Sequence, residues 1–338
     1  MHRIDDPSAV PTLPAPKQPG APGFFTSGSP TTGLEATIVS DDWANATQEE
    51  LCYVIEQSGL TLSKTDRTQL FQALARLTRL RLTANMTFYV SPTGSDANDG
   101  LTTGTAWVSI AHAYNYIRDR IDTNGFQTTI KLADGTYGGT TLQFPIIGPQ
   151  PILLGDDADP SRVIINNSTG VALAATSGAN ISCQSFTVQA GGPAGDYGAV
   201  GSGLLAGSGA SIVITNMRFG ACSYAHMDSR AGGVISAGRV GQNYTIAGAA
   251  QYHLLAGAGF ISVADCTVSI AGNPAFSQAF AAAIQAGLIH GWSNTYTGTA
   301  TGKRYHADTN GIILVAGGGI NYFPGSVAGD VASGGYYG

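Results

Sequence analysis

Glutamate is absent from most of this sequence. All four glutamates lie within the first 56 of the 338 residues, so aspartate is the only carboxylate side chain in the rest of the chain. A catalytic carboxylate pair that contains glutamate is therefore excluded from that region, and so abrupt a shift in composition indicates a domain boundary. Charged residues make up only 11% of the chain, against roughly 25% in ordinary globular proteins. So little charge favours surface that is buried between the subunits of an oligomer.

Further absences exclude several classes of protein. The net charge of −6 argues against a nucleic-acid-binding surface, which needs a basic patch. Without a run of 18 apolar residues we expect no membrane insertion, and the residues after Met1 do not predict a secretory signal. The four cysteines are scattered without a CxxC motif, which predicts buried thiols and no metal site. The sequence has no phosphate-binding glycine loop, and we expect no cofactor.

The start of the chain has the composition of an attachment segment. Residues 1–46 are rich in proline, glycine, serine and threonine, which predicts an extended arm without regular structure. Phe24 and Phe25 lie within it, and since a simple spacer has no use for aromatic anchors, we expect the arm to bind a partner. Residues 47–83 predict two short helices, the first with Thr47 as its N-cap. Helices with such narrow apolar stripes need partners for stability, so this segment is interpreted as a helical collar.

From Phe88 onward, short apolar strands alternate with glycine-rich turns. A weak internal repeat accompanies them: LAATSGANI (Leu173–Ile181) aligns without gaps to LLAGSGASI (Leu204–Ile212), 31 residues later. LLAGAGFI (Leu254–Ile261) repeats the pattern after a further 50 residues, as expected for two coils. Stacked units of about 20–30 residues predict a parallel β-helix, which we place at residues 84–293.

The stretch at the start of this solenoid is interpreted as its cap. A strand is followed by a Gly/Asp/Asn-rich loop and then by a helix near residues 108–121. The first coil of a solenoid must be covered against solvent and against edge-to-edge pairing, and this helix has the size to do so. Its apolar face consists of Ile110, Ala113, Tyr114 and Ile117.

The same stretch resembles a known fold family. YVSPTGSDANDG at residues 89–100, the helix after it and KLADGTY at residues 131–137 are similar to the start of pectate-lyase-like right-handed β-helices. The resemblance implies a mainly β protein with a right-handed parallel β-helix. It implies no activity, because the Ala-Asp-Gly-Thr-Tyr turn is structural in that family.

Two further resemblances concern the ends of the chain. DDWANATQEELCYVIEQSGL, which includes Trp43, resembles the N-terminal segment of tailed-phage tail-fibre proteins. GKRYHADTNG and NYFPGSVAG, within residues 294–338, resemble the C-terminal segment of phage fibre and spike proteins. The first resemblance implies attachment to a particle through residues 1–83, with Trp43 among the attachment residues. The second implies a trimerising tip at residues 294–338.

These resemblances favour a homotrimeric fibre or spike on the exterior of a phage or phage-like virion. The expected partners are further copies of the chain, a tail or capsid adaptor protein and a host surface polysaccharide. Three copies turn weak glycan contacts into durable adhesion. A tailspike depolymerase that cleaves capsule or lipopolysaccharide is the alternative, and mounting on the head instead of the tail stays open. A bacterial polysaccharide lyase is disfavoured, because an attachment arm has no purpose in such an enzyme.

One strand carries a candidate site. Tyr224, His226, Asp228 and Arg230 alternate with small or apolar residues, and a period of two predicts that all four lie on one face. Such a face can bind a glycan through Tyr224 and Arg230. If the protein is an enzyme, Asp228 and His226 are the expected acid/base pair.

Other candidates lie further along the chain. Tyr252 and His253 are one coil away and are expected to bind ligand on the same surface, and Trp292 is a weaker candidate for stacking on a sugar. Further side-chain carboxylates after residue 138 belong to Asp156, Asp157, Asp159, Asp196, Asp265, Asp308 and Asp330.

Overall fold

The computed structural model describes residues 2–193, 200–237 and 242–338. The chain divides into two compact units, Met1–Leu80 and Arg81–Gly338. Within the described residues, no helix is both long enough and apolar enough to cross a membrane.

Most of the regular structure is β-strand, which confirms the predicted fold class. The helices are α1 (Asp41–Gln57), α2 (Gln69–Leu77) and α3 (Ile110–Arg120), with a 3₁₀ helix at Thr103–Thr105. The strands are β1 (Leu80–Arg81), β2 (Met86–Val90), β3 (Ile121–Asp122), β4 (Thr128–Leu132), β5 (Gly135–Gly138), β6 (Thr140–Gln143), β7 (Ile152–Leu154), β8 (Val163–Asn167), β9 (Leu173–Thr176), β10 (Asn180–Gln184), β11 (Thr187–Ala190), β12 (Leu204–Ala206), β13 (Ser211–Thr215), β14 (Met217–Cys222), β15 (Ala225–Arg230), β16 (Val234–Ala237), β17 (Asn243–Ile246), β18 (Ala250–Gly257), β19 (Phe260–Ser262), β20 (Thr267–Ile270), β21 (Ala275–Ile284), β22 (Leu288–His290), β23 (Thr295–Thr297), β24 (Thr301–Gly302), β25 (Tyr305–Ala307), β26 (Ile312–Leu314), β27 (Asp330–Val331) and β28 (Tyr336–Tyr337).

In the first unit, α1 begins earlier than predicted. The Ser40 side chain caps it by accepting a hydrogen bond from the Trp43 N–H at 3.2 Å, and two aspartates then place negative charge at the helix N-terminus. The N-cap predicted at Thr47 is therefore wrong. Thr47 lies inside the helix, where its hydroxyl donates to the Trp43 carbonyl at 2.9 Å.

The beginning of the arm is bonded to other parts of this unit. The Arg3 guanidinium pairs with the carboxylates of Glu49 and Glu56, each at 2.8 Å. Lys64 pairs with Asp5 at 2.6 Å. Most of the first 40 residues nevertheless form neither helix nor strand, in keeping with their proline content.

The second unit is a parallel β-solenoid of about seven turns. Three sheets run along it, and from β4 to β23 consecutive strands enter the three sheets in turn, so one turn adds a strand to each. The first sheet has the order β2-β4-β7-β10-β13-β16-β19-β22-β26-β28, and the second has the order β5-β8-β11-β14-β17-β20-β23. The third has the order β6-β9-β12-β15-β18-β21-β25-β27, with β24 also pairing to β21.

A column of isoleucines lines the inner side of the first sheet. Each member is buried and stands in register with the next one on the neighbouring strand. Stacked branched side chains of equal size fill the interior and remove a large apolar area from water. The column consists of Ile181, Ile212, Ile235, Ile261, Ile289 and Ile313.

The third sheet contributes a matching column of small side chains. The turn after each of these strands approaches the neighbouring coil closely: a Cβ on Gly311 would lie 2.0 Å from the Ala283 carbonyl oxygen. Small residues at this corner therefore let successive coils stack at strand spacing. The buried, in-register members are Ala175, Ala206, Ser229, Ala256, Ala283 and Ala307.

The weak sequence repeat reflects this stacking. Leu173 is in register with Leu204 on the neighbouring strand. Leu254 lies two strands beyond Leu204, with Met227 between them. The predicted separations of one coil and then two coils are thus confirmed.

The cap is also where the sequence predicts it. α3 packs on β2, β4 and β6 and buries the four residues of its predicted apolar face. Just before the helix, the Asp96 carboxylate accepts hydrogen bonds from the Val108 and Ser109 N–H groups, both at 3.0 Å. The Tyr137 hydroxyl donates to the Ala133 carbonyl at 2.7 Å, which fits the structural turn that the resemblance implies.

The stacking continues past residue 293. β25, β27, β26 and β28 extend the third and first sheets, and Ile313 is in register with Tyr337. Tyr305 stacks on Tyr337 with ring centroids 3.6 Å apart. Residues 294–338 thus add to the same solenoid, and a trimerising role for them stays a prediction.

We predict that two neighbouring isoleucines on β26 differ sharply in their contribution to stability. Ile313→Ala removes a fully buried side chain from the isoleucine column and should lower the free energy of unfolding by about 2–5 kcal/mol. Ile312, on the same strand, is 39% exposed, so Ile312→Ala is the matched control and should cost about 1 kcal/mol or less. Urea denaturation followed by circular dichroism measures both losses. Equal losses would contradict the column as a main source of stability.

Candidate functional site

The strand of the candidate site, β15, presents side chains to opposite sides of the third sheet. Ser229 belongs to the inner column of small residues, so its neighbours Asp228 and Arg230 point outward. Tyr224, just before the strand, is half-buried and packs against the outer side of the same sheet. Three of the four predicted residues therefore share one face.

His226 does not lie on that face, and its predicted position is wrong. Its ring is fully buried and contacts Phe219 and Phe276 in the solenoid core, with centroid distances of 5.6 and 5.7 Å. Met227, the next residue, is also a core residue, so two consecutive side chains point inward and the alternation is broken between them. Asp228 and His226 thus lie on opposite sides of the sheet and are not brought together as an acid/base pair.

His226 instead forms a buried pair with His253. Their Nδ1 atoms are 3.0 Å apart, and the His253 Nε2 lies 3.1 Å from the Tyr244 hydroxyl. One Nδ1 must donate and the other accept, so the pair cannot hold two fully protonated rings without a repulsive contact. Burial lowers the pKa of His226 to about 3 and holds the pKa of His253 well below its ordinary value. His253, predicted to bind ligand, is therefore enclosed in the core.

On the outer side, Tyr224, Tyr252 and Arg230 form a compact group over Asp228. The two tyrosine rings meet edge to face with centroids 5.6 Å apart, and the Arg230 guanidinium carbon lies 5.4 Å from the Tyr224 centroid. The Arg230 Nε donates to one Asp228 oxygen at 2.8 Å, and the Ser202 hydroxyl donates to the other at 3.0 Å. The structure thus places the predicted Tyr252 beside the predicted Tyr224 and Arg230.

Asp228 holds this group in position. Its carboxylate is fully buried, and burial raises its pKa, against the opposing effect of the hydrogen bonds from Arg230 and Ser202. Because each of its oxygens has a partner, the carboxylate is better placed to orient Arg230 than to take a proton from a substrate.

A layer of small and apolar side chains supports the group. Tyr252 is in register with Ala225 on one neighbouring strand and with Ala279 on the other, so a small residue adjoins it on each side along the sheet. The layer consists of Ala225, Leu255, Ala279 and Ala282, all of them buried.

A second polar group, absent from the sequence prediction, lies along the same outer side. His306 is in register with Ala282 and with Asp330. Its Nδ1 lies 3.0 Å from an Asp330 oxygen and its Nε2 lies 3.8 Å from an Asp308 oxygen. The Lys303 Nζ pairs with Asp330 at 3.0 Å. Four ionisable side chains thus meet on β25, β27 and the turns beside them.

The sequence carries a signal for this second group. Polar residues at positions 304, 306 and 308 alternate with the buried Tyr305 and Ala307, the same period of two that marks residues 224–230. This alternation is missed if residues 294–338 are taken as a separate tip, because β25 is then not aligned with the strands of the earlier coils.

The two polar groups belong to one surface, which we call the outer strip. Asp228, Leu255, Ala282 and His306 stand in register on four successive strands. At about 4.8 Å per strand, the two groups are roughly 14 Å apart. The outer strip is defined by Tyr224, Asp228, Arg230, Tyr252, Lys303, His306, Asp308 and Asp330.

Trp292 lies elsewhere. Its ring is tilted against that of His290, with centroids 4.5 Å apart, and His290 contacts Phe260 with centroids 4.8 Å apart. Phe260 and His290 adjoin members of the isoleucine column, so they point outward from the first sheet. The structure therefore places Trp292 in a second aromatic surface, separate from the outer strip.

The other aspartates are mostly engaged in turns. Asp156 pairs with Arg162 at 3.4 Å, and Asp159 caps its own turn through Ser161. Asp265 occupies a left-handed turn position with φ 57°. Asp196 lies outside the described residues.

In the first unit, the predicted attachment residues are exposed. Phe24 is 99% exposed, and Phe25 meets Trp43 edge to face with centroids 5.2 Å apart. Ile38 and Val39, which shortly precede Trp43 and are both exposed, line the same depression on the surface.

The outer strip can bind a ligand by stacking and by hydrogen bonds from fixed polar groups. Among residues 2–193, 200–237 and 242–338, no group of three or more His, Cys, Asp or Glu side chains is arranged to hold a metal ion. Asp228 has no second carboxylate partner in its group, whereas hydrolysis of a glycosidic bond ordinarily needs two.

Comparison with known proteins gives one partial likeness. Over 77 residues, which are 23% of this chain, the sequence is 43% identical to the uncharacterized protein StfP of Escherichia coli (strain K12). The match spans 35% of StfP, so the chain corresponds to about a third of that protein. No protein-family model matches the chain. No solved structure matches it.

We predict that acid destabilises the solenoid through the buried histidine pair. The folded state keeps the imidazoles neutral, so the stability they contribute is present above about pH 6.5 and is lost as the pH falls toward the folded pKa of His226, about 3. The loss should reach about 1.4 kcal/mol per pH unit for each histidine. Denaturant unfolding between neutral and mildly acidic pH measures it.

The variant His226→Phe/His253→Phe serves as the comparison for this prediction. Its pH dependence should be shallower than that of the wild type. A slope equal to the wild-type slope would show that the acid sensitivity arises from other groups.

Proposed function

We propose that this chain is a homotrimeric fibre or spike on the exterior of a phage-like virion. Its first unit holds an adaptor protein of the particle, and its outer strip binds a polysaccharide of the host surface. The main support for this proposal is the outer strip, where two tyrosine rings and a guanidinium lie together on the outside of a parallel β-solenoid.

The chemistry of the outer strip suits a glycan. Sugars present flat apolar faces edged with hydroxyl groups, and sites for such ligands combine aromatic side chains with a few fixed polar groups. Tyr224 and Tyr252 supply the rings, while Arg230 is held in place by Asp228. Because Asp228 is itself buried and bonded to Ser202, the group is preorganised, which lowers the entropy lost on binding.

The solenoid itself suits a spike. Its sheets run the length of the second unit, and a stacked architecture offers one extended surface on which a polymer can lie. The roughly 14 Å between the two polar groups gives such a polymer more than one contact along the same column.

Exposed apolar residues in the first unit support attachment. A soluble surface rarely carries neighbouring exposed aromatic and aliphatic side chains unless a partner covers them. Phe24, Phe25 and Trp43 form such a group with Ile38 and Val39. The short match to StfP fits proteins that share one module and differ elsewhere.

Exposure on α2 supports the trimer. Leu70, Phe71, Leu74 and Leu77 are between 37% and 76% exposed on a helix of nine residues. A helix this short depends on packing of its apolar face for stability, and further copies of the chain would supply that packing. A trimeric mass by light scattering is the expected result.

We predict that Tyr252→Ala weakens binding to the cognate polysaccharide at least about tenfold, because it removes one of the two stacking rings of the outer strip. Tyr336→Ala is the control, since Tyr336 is equally aromatic and 54% exposed but lies on the first sheet. Binding of both variants to an array of bacterial surface polysaccharides measures the difference. Equal losses, or no loss in Tyr252→Ala, would place the binding site elsewhere.

The same array separates adhesion from cleavage. Release of reducing ends or of unsaturated sugars during incubation would show a depolymerase and contradict a purely adhesive role. Loss of that activity in Asp308→Asn or Asp330→Asn would then assign it to the second polar group.

We predict that Trp43→Ala lowers the amount of protein incorporated into particles at least about tenfold. The substitution removes the indole ring that packs against Phe25 on the attachment surface. Tyr53→Ala is the matched control, since Tyr53 is also an exposed aromatic residue on α1. Co-sedimentation of each full-length variant with particles that lack the native spike measures incorporation. Normal incorporation of Trp43→Ala would contradict this attachment surface.

A further inference from the structure

The permanent cations of the outer strip are paired within the strip. Arg230 pairs with Asp228 at 2.8 Å, and Lys303 pairs with Asp330 at 3.0 Å. Asp308 adds a carboxylate beside His306 without a permanent cation of its own. The strip therefore contains three carboxylates and two permanent cations, and both cations already face a carboxylate.

The next cation along the chain acts on a different sheet. The charge of Arg304 lowers the pKa of Tyr337, against the stronger effect of burial, which raises it. Tyr337 belongs to β28 of the first sheet. By the register of β21 and β25, Arg304 aligns with the core residue Phe280, whereas His306 aligns with Ala282 on the outer side. Arg304 is therefore not counted among the cations of the outer strip.

An anionic sugar gains little at these paired cations. The Arg230 Nε–H donates to the buried Asp228 carboxylate, whose negative charge offsets that of the guanidinium. The other guanidinium N–H groups can donate to neutral oxygen atoms as well as to a uronate or phosphate, so the pair provides hydrogen bonds without a net positive charge to attract an anion. The negative charge of Asp308, which is not paired with Arg230 or Lys303, would add repulsion at the other end of the strip.

An uncharged sugar meets none of these costs. It can stack on Tyr224 and Tyr252, and its hydroxyl groups can bond to the polar atoms of the paired side chains without separating them. Specificity of this kind comes as much from what the site rejects as from what it holds.

We propose that the outer strip selects uncharged glycans and that Asp228 sets this selectivity by pairing with Arg230 and offsetting its positive charge. The inference rests on the proposed function, since it names the class of glycan bound at the same site.

The test uses an array of neutral and uronic-acid-containing bacterial polysaccharides, with each acidic polymer also present in its carboxyl-reduced, uncharged form. The wild-type protein should bind neutral polymers, and its binding should change less than about twofold between low and high salt, because no ion pair with the ligand is screened. Preference for an acidic polymer, lost on carboxyl reduction or at high salt, would overturn the proposal.

Variants test the role of Asp228 directly. Asp228→Asn keeps the shape of the side chain and removes its charge, so the positive charge of Arg230 is no longer offset. Binding to acidic polymers should therefore rise at least about tenfold. Arg230→Gln is the control and should show no such gain, since it removes the cation. No gain in a folded Asp228→Asn would overturn the role of Asp228, and the wild-type comparison stands even if that variant does not fold.

The same array distinguishes failure of this inference from failure of the proposed function. If acidic polymers bind and Tyr252→Ala abolishes that binding, the proposed selectivity is wrong but the location of the binding site is supported. Binding that Tyr252→Ala does not change, or no binding to any polymer, would overturn the proposed function and with it this inference.

Discussion

The in-register stacking of coils is the constraint on which the rest of the structure depends. The isoleucine column fixes the register of the first sheet, and the column of small residues fixes that of the third. Once the inner columns are aligned, the outward residues of successive coils are aligned as well, at about 4.8 Å per strand. The outer strip is a product of this constraint: Asp228 and His306 are far apart in sequence but belong to one column.

The same constraint explains how polar side chains are accommodated. His226 and His253 occupy equivalent positions of neighbouring coils, so each becomes the hydrogen-bond partner of the other in an otherwise aromatic interior. Asp228 is buried on the opposite side of the sheet, where Arg230, two residues along the same strand, supplies its counter-charge. In both cases burial would be costly for one residue alone and is offset by a partner at a fixed position.

The sequence predicts the architecture better than it predicts the site. Glycine-separated repeats and the apolar face of α3 identify the solenoid and its cap, because both follow from packing that recurs along the chain. The sequence predicts the wrong side of the sheet for His226. A strict period of two does not allow for two consecutive inward side chains, whereas His226 and Met227 both point into the core. The group around His306 is not predicted, because its strand is recognised only when residues 294–338 are counted as part of the solenoid. Thr47 is misassigned because Ser40, followed by two aspartates, is the better N-cap.

The structure of the protein bound to a fragment of its polysaccharide tests most directly whether a glycan lies on the outer strip. We expect sugar rings in contact with Tyr224 and Tyr252, with the Arg230–Asp228 pair intact beneath them. Sugar bound at the other aromatic surface, against Phe260, His290 and Trp292 on the first sheet, would contradict it.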